Sequence, residues 1–442
     1  MGMNDLTVYD VSVLNPDFTV LEHQTVKVRD GMIVSISPST PDQRTETNSQ
    51  QVLEGAGKLL MPGLCDSHMH TGQQLLKGKI LDALPMIWTR IMLPFESTLT
   101  PEKMKLSAQL AALEMIKSGT TAFVDAGSYF METAADVYVQ SGLRGLLSVS
   151  TMNDKTLPES IRRTTKETLE ETDSLFKHYH EKGNLKVAYS LRSLLSCSEN
   201  LILEASERAR KRGTRLQAHM NEYANEVLSF LEKKQMRPVE YLEKLGVLGE
   251  EFISAHSLFL SENEKDLLKN YKVKVCHCPF SNCGKGIPDT PALLQRKICV
   301  GLGSDGAAHG GLSLWNEMKI FRSVMNVGKG TAIHDAAIMP AKAILKMATK
   351  DGYHLMGENA GTIEAGKAAD FITIRLMQPH LYPTQNIVNT LLECVTASDV
   401  CDTVVNGTVL MKDRNVLTLD EASILNAAKE FMERQEKTCS SY

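Results

Sequence analysis

Residues 63–70, Gly63-Leu64-Cys65-Asp66-Ser67-His68-Met69-His70, run from an apolar start to two histidines separated by one residue. Read as a strand, the segment carries both imidazoles at its carboxyl end and on one face, because alternate strand residues point the same way. One His-x-His pair is weak evidence, since alternation brings such pairs together by chance. Its weight comes from the rest of the chain. Seven further strand-like runs occupy 120–128, 145–152, 186–193, 215–222, 252–259, 272–279 and 299–306. Amphipathic helical stretches follow most of them, most clearly at 159–180, 199–212, 262–271 and 314–327. Eight strand–helix units in this length predict a (β/α)8 TIM-like barrel, an α/β fold whose active site lies at the carboxyl ends of the strands.

The two ends of the chain read differently. Leu6 to Tyr9, Val26 to Arg29 and Met32 to Ile36 are strand-like, and Asp30-Gly31 marks a hairpin turn. The polar stretch 37–51 reads as a loop. Asp370 to Ile374, Val400 to Val405 and Val409 to Met411 repeat the pattern, with Asn406-Gly407 as a second hairpin turn. The expectation is a small composite β-sandwich domain made from both termini, 1–57 and 365–442 with a C-terminal helix, around a barrel at 58–364. Two separate caps are the alternative.

Bulk properties narrow the partners. The chain has 442 residues and a formal net charge of -5 with both signs interspersed, so no basic stripe points to nucleic acid. No run is apolar for long enough to span a bilayer, and Met1-Gly2-Met3-Asn4-Asp5 lacks the character of a signal peptide. Nine cysteines in a long chain fit reduced thiols and a cytoplasmic location.

Six side chains able to build one metal site fall at predicted strand ends. They are His68, His70, His219, Glu222, His256 and Asp305. Three imidazoles and a carboxylate can hold a divalent metal and leave a position for water, which is the make-up of a hydrolytic site. His68, His70, His219 and Asp305 are the ligand set. Asp305 is also placed to take the water's proton. Glu222, three residues past His219, would carry a proton to the substrate, and His256 would orient the activated water.

Several motifs carry a resemblance. They are Met61 to His70, Ser118-Gly119-Thr120-Thr121, His219-Met220-Asn221-Glu222, Ala255-His256-Ser257, His277 to Asn282, Gly303 to Ala308 and Glu364 to Asp370. Together they are similar to the amidohydrolase superfamily, in its mononuclear metal-dependent aminohydrolase branch. S-adenosylhomocysteine/methylthioadenosine deaminases, guanine deaminases and triazine hydrolases belong to that branch. The resemblance implies one divalent metal ion, zinc (Zn2+) or else iron (Fe2+), and a homo-oligomer such as a dimer. It implies hydrolytic deamination of an amino-substituted N-heterocycle (a purine nucleoside, purine or pterin), with ammonia released through water activated to hydroxide. The alternative within the class is a triazine-type hydrolase that displaces chloride or an alkylamine. A non-catalytic barrel scaffold is a distant third. Binuclear relatives carry a lysine at the end of strand four, whereas the only lysine of that strand here, Lys186, is at its start.

The resemblance also implies substrate contacts. Glu96, in Leu93-Pro94-Phe95-Glu96, matches a segment whose glutamate binds ribose hydroxyls, and Gln73 matches a base-reading glutamine of guanine deaminases. Arg192 stands where nucleoside deaminases of the branch have a histidine, a feature more like guanine deaminase, and offers a permanently charged planar fork. Val149 stands where the S-adenosylhomocysteine branch has an arginine, although Arg162 and Arg163 follow. His309 stands where adenosine-type enzymes have a small serine, close enough to Asp305 to meet a substrate. Met86, Trp88 and Met92 form an apolar patch that could close over a ring. Cys276-His277-Cys278 is read as packing and support for the rim, with Asn282, rather than a second metal site.

Overall fold

The computed structural model describes residues 5–40, 51–80 and 87–439. Most of the expected loop at 37–51, and Met86, lie outside the described residues. The chain begins with β1 (Leu6–Leu14), β2 (Val20–Arg29), β3 (Met32–Pro38), β4 (Gln51–Glu54) and β5 (Lys58–Pro62). In β1 the core-facing residues are Leu6 and Val8, then Val11 and Val13, a step of three in a period-two pattern. A bulge absorbs the extra residue, with Asp10 at φ 54°. The resulting bend lets the first half of β1 pair with β4 and the second half with β5.

The barrel follows as β6 (Leu64–Met69), β7 (Thr120–Asp125), β8 (Arg144–Leu147), β9 (Leu185–Val187), β10 (Tyr189–Leu191), β11 (Leu216–Met220), β12 (Phe252–His256), β13 (Lys274–His277) and β14 (Val300–Leu302). Every paired neighbour in this series is parallel. The fourth barrel strand is broken at Ala188. Its first piece, β9, pairs back to β8, and its second, β10, pairs forward to β11. The ring closes where Asp305 N–H donates to His68 O at 3.0 Å and Ser304 N–H donates to Asp66 Oδ1 at 3.0 Å. β6, β7, β11 and β12 are buried along their whole length, as parallel strands covered on both faces must be.

The helices fall near their expected places, with one shift that has a local cause. The stretch expected to be helical from residue 159 becomes regular only at Thr165 and runs Thr165–Tyr179. Thr164 and Glu167 form a reciprocal capping box that fixes the start. Glu199–Lys211, Glu262–Asn270 and Leu314–Met325 pack their apolar faces on the barrel.

The chain ends with β15 (Phe371–Arg375), β16 (Val400–Val405), β17 (Thr408–Lys412), β18 (Asn415–Val416) and the helix Glu421–Cys439. β15 pairs antiparallel with β5, so both ends of the chain enter one nine-stranded sheet in the order β18-β17-β16-β15-β5-β1-β2-β3, with β4 beside β1. The termini therefore do not form two caps. β5, which the expected boundary at residue 58 assigns to the barrel, pairs with β1 and β15 in this sheet. The sheet has its own apolar core around Val8, Val11, Phe371 and Val404. Arg144, at the start of β8, grips Asp370 through Nε (2.6 Å) and Nη2 (3.0 Å) and so ties the sheet to the amino-terminal rim of the barrel. No described helix is long and apolar enough to cross a membrane.

Candidate active site

The carboxyl rim of the barrel gathers the six side chains. His68 belongs to β6 and His70 follows it. His219 lies on β11, His256 ends β12, and Asp305 follows β14. One ligand atom each from His68, His70, His219 and Asp305 falls within 4.8 Å of all the others, and all four residues are buried. The Nε2 atoms of His70 and His219 approach to 3.1 Å, and those of His68 and His70 each lie 3.4 Å from Asp305 Oδ1. His68 Nε2 is buried without a hydrogen-bond partner. Burial holds the His70 imidazole down at about 3 and the His219 imidazole well below its ordinary value, so both rings are neutral donors. Crowded neutral imidazoles facing one carboxylate oxygen fit a divalent cation.

Backbone contacts hold this geometry. Gly303 passes so close to β6 that a Cβ there would lie 2.6 Å from His68 O. Asp66 accepts from Ser304 N–H (3.0 Å), Ser304 Oγ (2.6 Å) and His68 N–H (3.3 Å), stapling β6 to the end of β14. Its burial raises the carboxyl to about 7. Asp125, at the end of β7, accepts from Thr71 N–H at 3.1 Å and Gly127 N–H at 2.7 Å, fixing the turn after His70. Non-glycine residues in left-handed conformation turn the chain at three of the strand ends: Asn221 (φ 49°), His256 (φ 67°) and Asp305 (φ 59°).

Glu222 and His256 stand beside the ligand set. Glu222 Oε1 lies 3.8 Å from His256 Nε2. Asn282 Oδ1 is 3.0 Å from His256 Nδ1, an arrangement that puts the ring proton on Nδ1 and leaves Nε2 as an acceptor. His277 holds the His256 carbonyl through Nδ1 at 2.8 Å, whereas Cys276 and Cys278 pack in an apolar cluster behind the strand. Burial opposes ionisation of Asp305, but His309, Lys285 and His256 outweigh it and hold the carboxyl well below the usual range. His309 Nε2 is 3.3 Å from Asp305 Oδ2, and Ser281 Oγ donates to the same oxygen.

A cavity of about 640 Å³ opens over these groups. Arg192 and Gln73 line its wall, and both bind Glu96. Glu96 Oε1 accepts from Arg192 Nη2 and from Gln73 Nε2, each at 3.0 Å. Glu96 Oε2, Arg192 Nη1 and Gln73 Oε1 are buried and unpartnered. Trp88 and Met92 line the cavity, and the Arg192 guanidinium stands 6.0 Å from the Trp88 ring centre. Arg162 donates from Nε and Nη2 to Leu157 O at 3.2 and 2.8 Å and is not among the residues that line the cavity. Lys186 pairs with Glu358 at 2.7 Å, away from the ligand rim.

Sequence reasoning missed Lys285 and Glu226. Lys285 Nζ donates to Glu222 Oε1 at 2.6 Å and to Ser281 Oγ at 2.7 Å. Glu226 Oε2 accepts from Glu222 N–H at 3.0 Å, and its burial raises the carboxyl to about 8. Lys285 lies in a stretch without a repeating pattern that would aim it inward, whereas Glu226 shares the buried face of the helix Ala224–Lys234 with Val227 and Phe230, where a carboxylate is unexpected. The only signal is a lysine between two glycines just past the Ser281-Asn282 motif.

Comparison with known proteins places this constellation. Residues 59–410 match the model of the amidohydrolase family. The chain is 30% identical over 424 residues to the 5'-deoxyadenosine deaminase of Methanosphaera stadtmanae, covering 95% of this chain and 97% of that one. It is 33% identical over 435 residues to the 5-methylthioadenosine/S-adenosylhomocysteine deaminase of Haloarcula marismortui, covering 97% and 98%. An adenosine deaminase from Xanthomonas campestris, solved with bound zinc, superposes with a TM-score of 0.90 at 25% identity, covering 98% of this chain and 99% of that one. By its sequence from residue 59 to 410, its barrel and its donor-lined rim, the chain belongs to the amidohydrolase family.

Proposed function

We propose that this protein is a metal-dependent hydrolytic deaminase of an amino-substituted nitrogen heterocycle. The observation that carries the reading is the approach of Glu222 to within 3.8 Å of His256 beside the four-residue donor set, with Glu222 lining a 640 Å³ cavity. His68, His70, His219 and Asp305 would hold one divalent ion, with zinc the first choice because the Xanthomonas relative carries it. When bound, such an ion lowers the pKa of water toward neutrality.

This chain's own groups would manage the protons. Asp305 accepts one from the attacking water, since its ionised carboxylate stands within the donor set, where the water would be held. His256 Nε2, kept as an acceptor by Asn282, receives a hydrogen bond from the same water and orients it. Glu222 hands a proton to the ring nitrogen next to the amino-bearing carbon. That carbon becomes electrophilic and water adds; Asp305 returns its proton to the amino nitrogen, which leaves as ammonia, and the new hydroxyl gives its proton back to Glu222 as the carbonyl forms. Trp88 and Met92 exclude water from the ring face.

The cavity is larger than a bare ring requires, so the substrate carries a substituent. Among the described residues, the outer lining of Asp154, Thr156, Leu157, Pro158, Leu195 and Asn225 contains no basic side chain. An anionic tail finds no counter-ion there, which favours adenosine derivatives with a small uncharged 5' group. A second reading follows from Arg192 Nη1 lying unpartnered beside unpartnered acceptors on Glu96 and Gln73. A donor beside acceptors also suits a lactam edge, as in guanine or a pterin.

The test is ammonia release by the zinc-loaded protein across adenosine derivatives, guanine, pterins and aminotriazines. Release from 5'-deoxy or 5'-methylthio adenosine derivatives supports the first reading, and release from guanine or pterins the second. Silence on the whole panel with metal bound refutes deamination and points to another leaving group, such as chloride.

A further inference from the structure

Lys285 has no role in the proton transfers assigned to Asp305, His256 and Glu222, yet its ammonium sits among them. The side chain is 5% exposed. Nζ donates to Glu222 Oε1 at 2.6 Å and to Ser281 Oγ at 2.7 Å, and it lies 3.5 Å from Asp305 Oδ2. Ser281 in turn donates to that same Asp305 oxygen. The Tyr223 ring centre is 5.4 Å from Nζ. A buried ammonium is costly unless well paired, and an apolar side chain would fill the space without that cost. The pairing here is lopsided, close to Glu222 and long to Asp305.

Glu222 is held at two points. Glu226 takes its backbone N–H at 3.0 Å, and Lys285 takes Oε1, the oxygen that faces His256. Fixing one carboxylate oxygen leaves the other free to meet a ligand. We infer that Lys285 is a positioning residue for the reaction: it pins Glu222 by Oε1 so that Oε2 alone addresses the substrate ring. The inference rests on the reading of Glu222 as the proton carrier. Lys285 acts through Glu222, and Ser281 braces it from the Asp305 side.

The test uses the metal-loaded full chain with K285M, K285R, E222Q and the E222Q/K285M double variant. K285M is expected to keep its metal and its KM within about threefold while kcat falls roughly 10–100-fold, the signature of a misaligned reacting group. K285R retains a cationic donor and recovers much of the loss. The double variant is no slower than E222Q alone, because Lys285 has nothing left to position. A crystal structure of K285M shows the Glu222 carboxylate turned away from His256. Unchanged kcat in K285M, loss of metal from it, or losses that multiply in the double variant would each overturn the inference. If K285M does not fold, K285Q and K285R carry the test, and wild-type kcat in both overturns it. If the wild-type protein deaminates nothing on the panel, the functional reading fails by itself. The position of Glu222 in the K285M crystal then still decides the structural claim, and an unmoved carboxylate defeats it.

Discussion

Replacing Arg192 with methionine removes one partner of a buried ion pair and leaves the other in place. Arg192 and Glu96 side chains are 4% and 2% exposed, and their contact is 3.0 Å. Stranding one charge of such a pair typically costs about 3–5 kcal/mol. Two features soften it here. Glu96 keeps the Gln73 hydrogen bond at 3.0 Å, and the pair borders a cavity that water can fill. The expected loss is therefore about 2–3 kcal/mol, below the full penalty for an unpaired buried charge. With a denaturant slope of about 3 kcal/mol per molar urea, the unfolding midpoint of R192M drops by roughly 0.7–1 M. E96Q/R192M removes the stranded charge as well, and the cycle should return a coupling of about 2 kcal/mol. Urea titrations of the four proteins at one pH supply every term. A midpoint for R192M within about 0.2 M of wild type, or a double variant less stable than R192M, would show that charge stranding does not set the cost.

Other outcomes test the site more directly. H219A should hold less than about a tenth of the wild-type metal after dialysis, read by elemental analysis, because it removes one of the four proposed ligands; full occupancy with full activity would remove His219 from the set. G303A places a methyl 2.6 Å from His68 O, which parts β6 from β14; metal affinity should fall roughly 10–100-fold, as for lost supporting contacts around a metal, and wild-type affinity by competition with a chelator would contradict it. E222Q should bind substrate with a KM within a few-fold of wild type yet lose about 10²–10⁴ in kcat, measured as ammonia release. Glu226 has its carboxyl raised to about 8 by burial, above the ordinary 4.5, so the native state holds this proton more tightly than the unfolded chain does. Its favourable contribution is complete below pH 4.5 and is lost as pH rises through 8. E226Q should thus match wild type near pH 5 and gain on it by about 2–4 kcal/mol near pH 9, and a difference that stays flat with pH in urea titrations would contradict this.

Much of the barrel is legible because its strands are covered on both faces and read as apolar runs that end on polar residues. All eight runs become barrel strands, and the four donor residues fall at their ends because a parallel barrel leaves only that rim to carry chemistry. The break at Ala188 is invisible in the run 186–193. It arises from pairing, with β9 taken by one neighbour and β10 by the other. β4 and β5 lack a following helix to mark them as strand–helix units, and β5 joins the outer sheet through partners at both ends of the chain. Within the site, Glu96, Arg192 and Gln73 are each recognisable, but their convergence on one oxygen depends on how two loops fold over the rim. Lys285 lies beyond periodicity altogether, because a loop lysine is ordinarily solvated and only the path of the chain after β13 turns it inward.

The pairing of β5 with β15 sets a schedule for synthesis. β5 ends at Pro62 and its partner begins at Phe371, so nearly the whole barrel is made between them. At roughly 5–20 residues per second, β5 waits about 15–60 s for that edge to be covered. During this interval an apolar strand with a free edge is available to other nascent chains. The early hairpin of β2 and β3, closed by local turn residues, can form at once and protect one side of β1. Its other side pairs with β4 and β5, which follow at once, so only the far edge of β5 depends on translation reaching β15. Slowing elongation within the barrel should therefore raise the aggregated fraction more than an equal delay after β18.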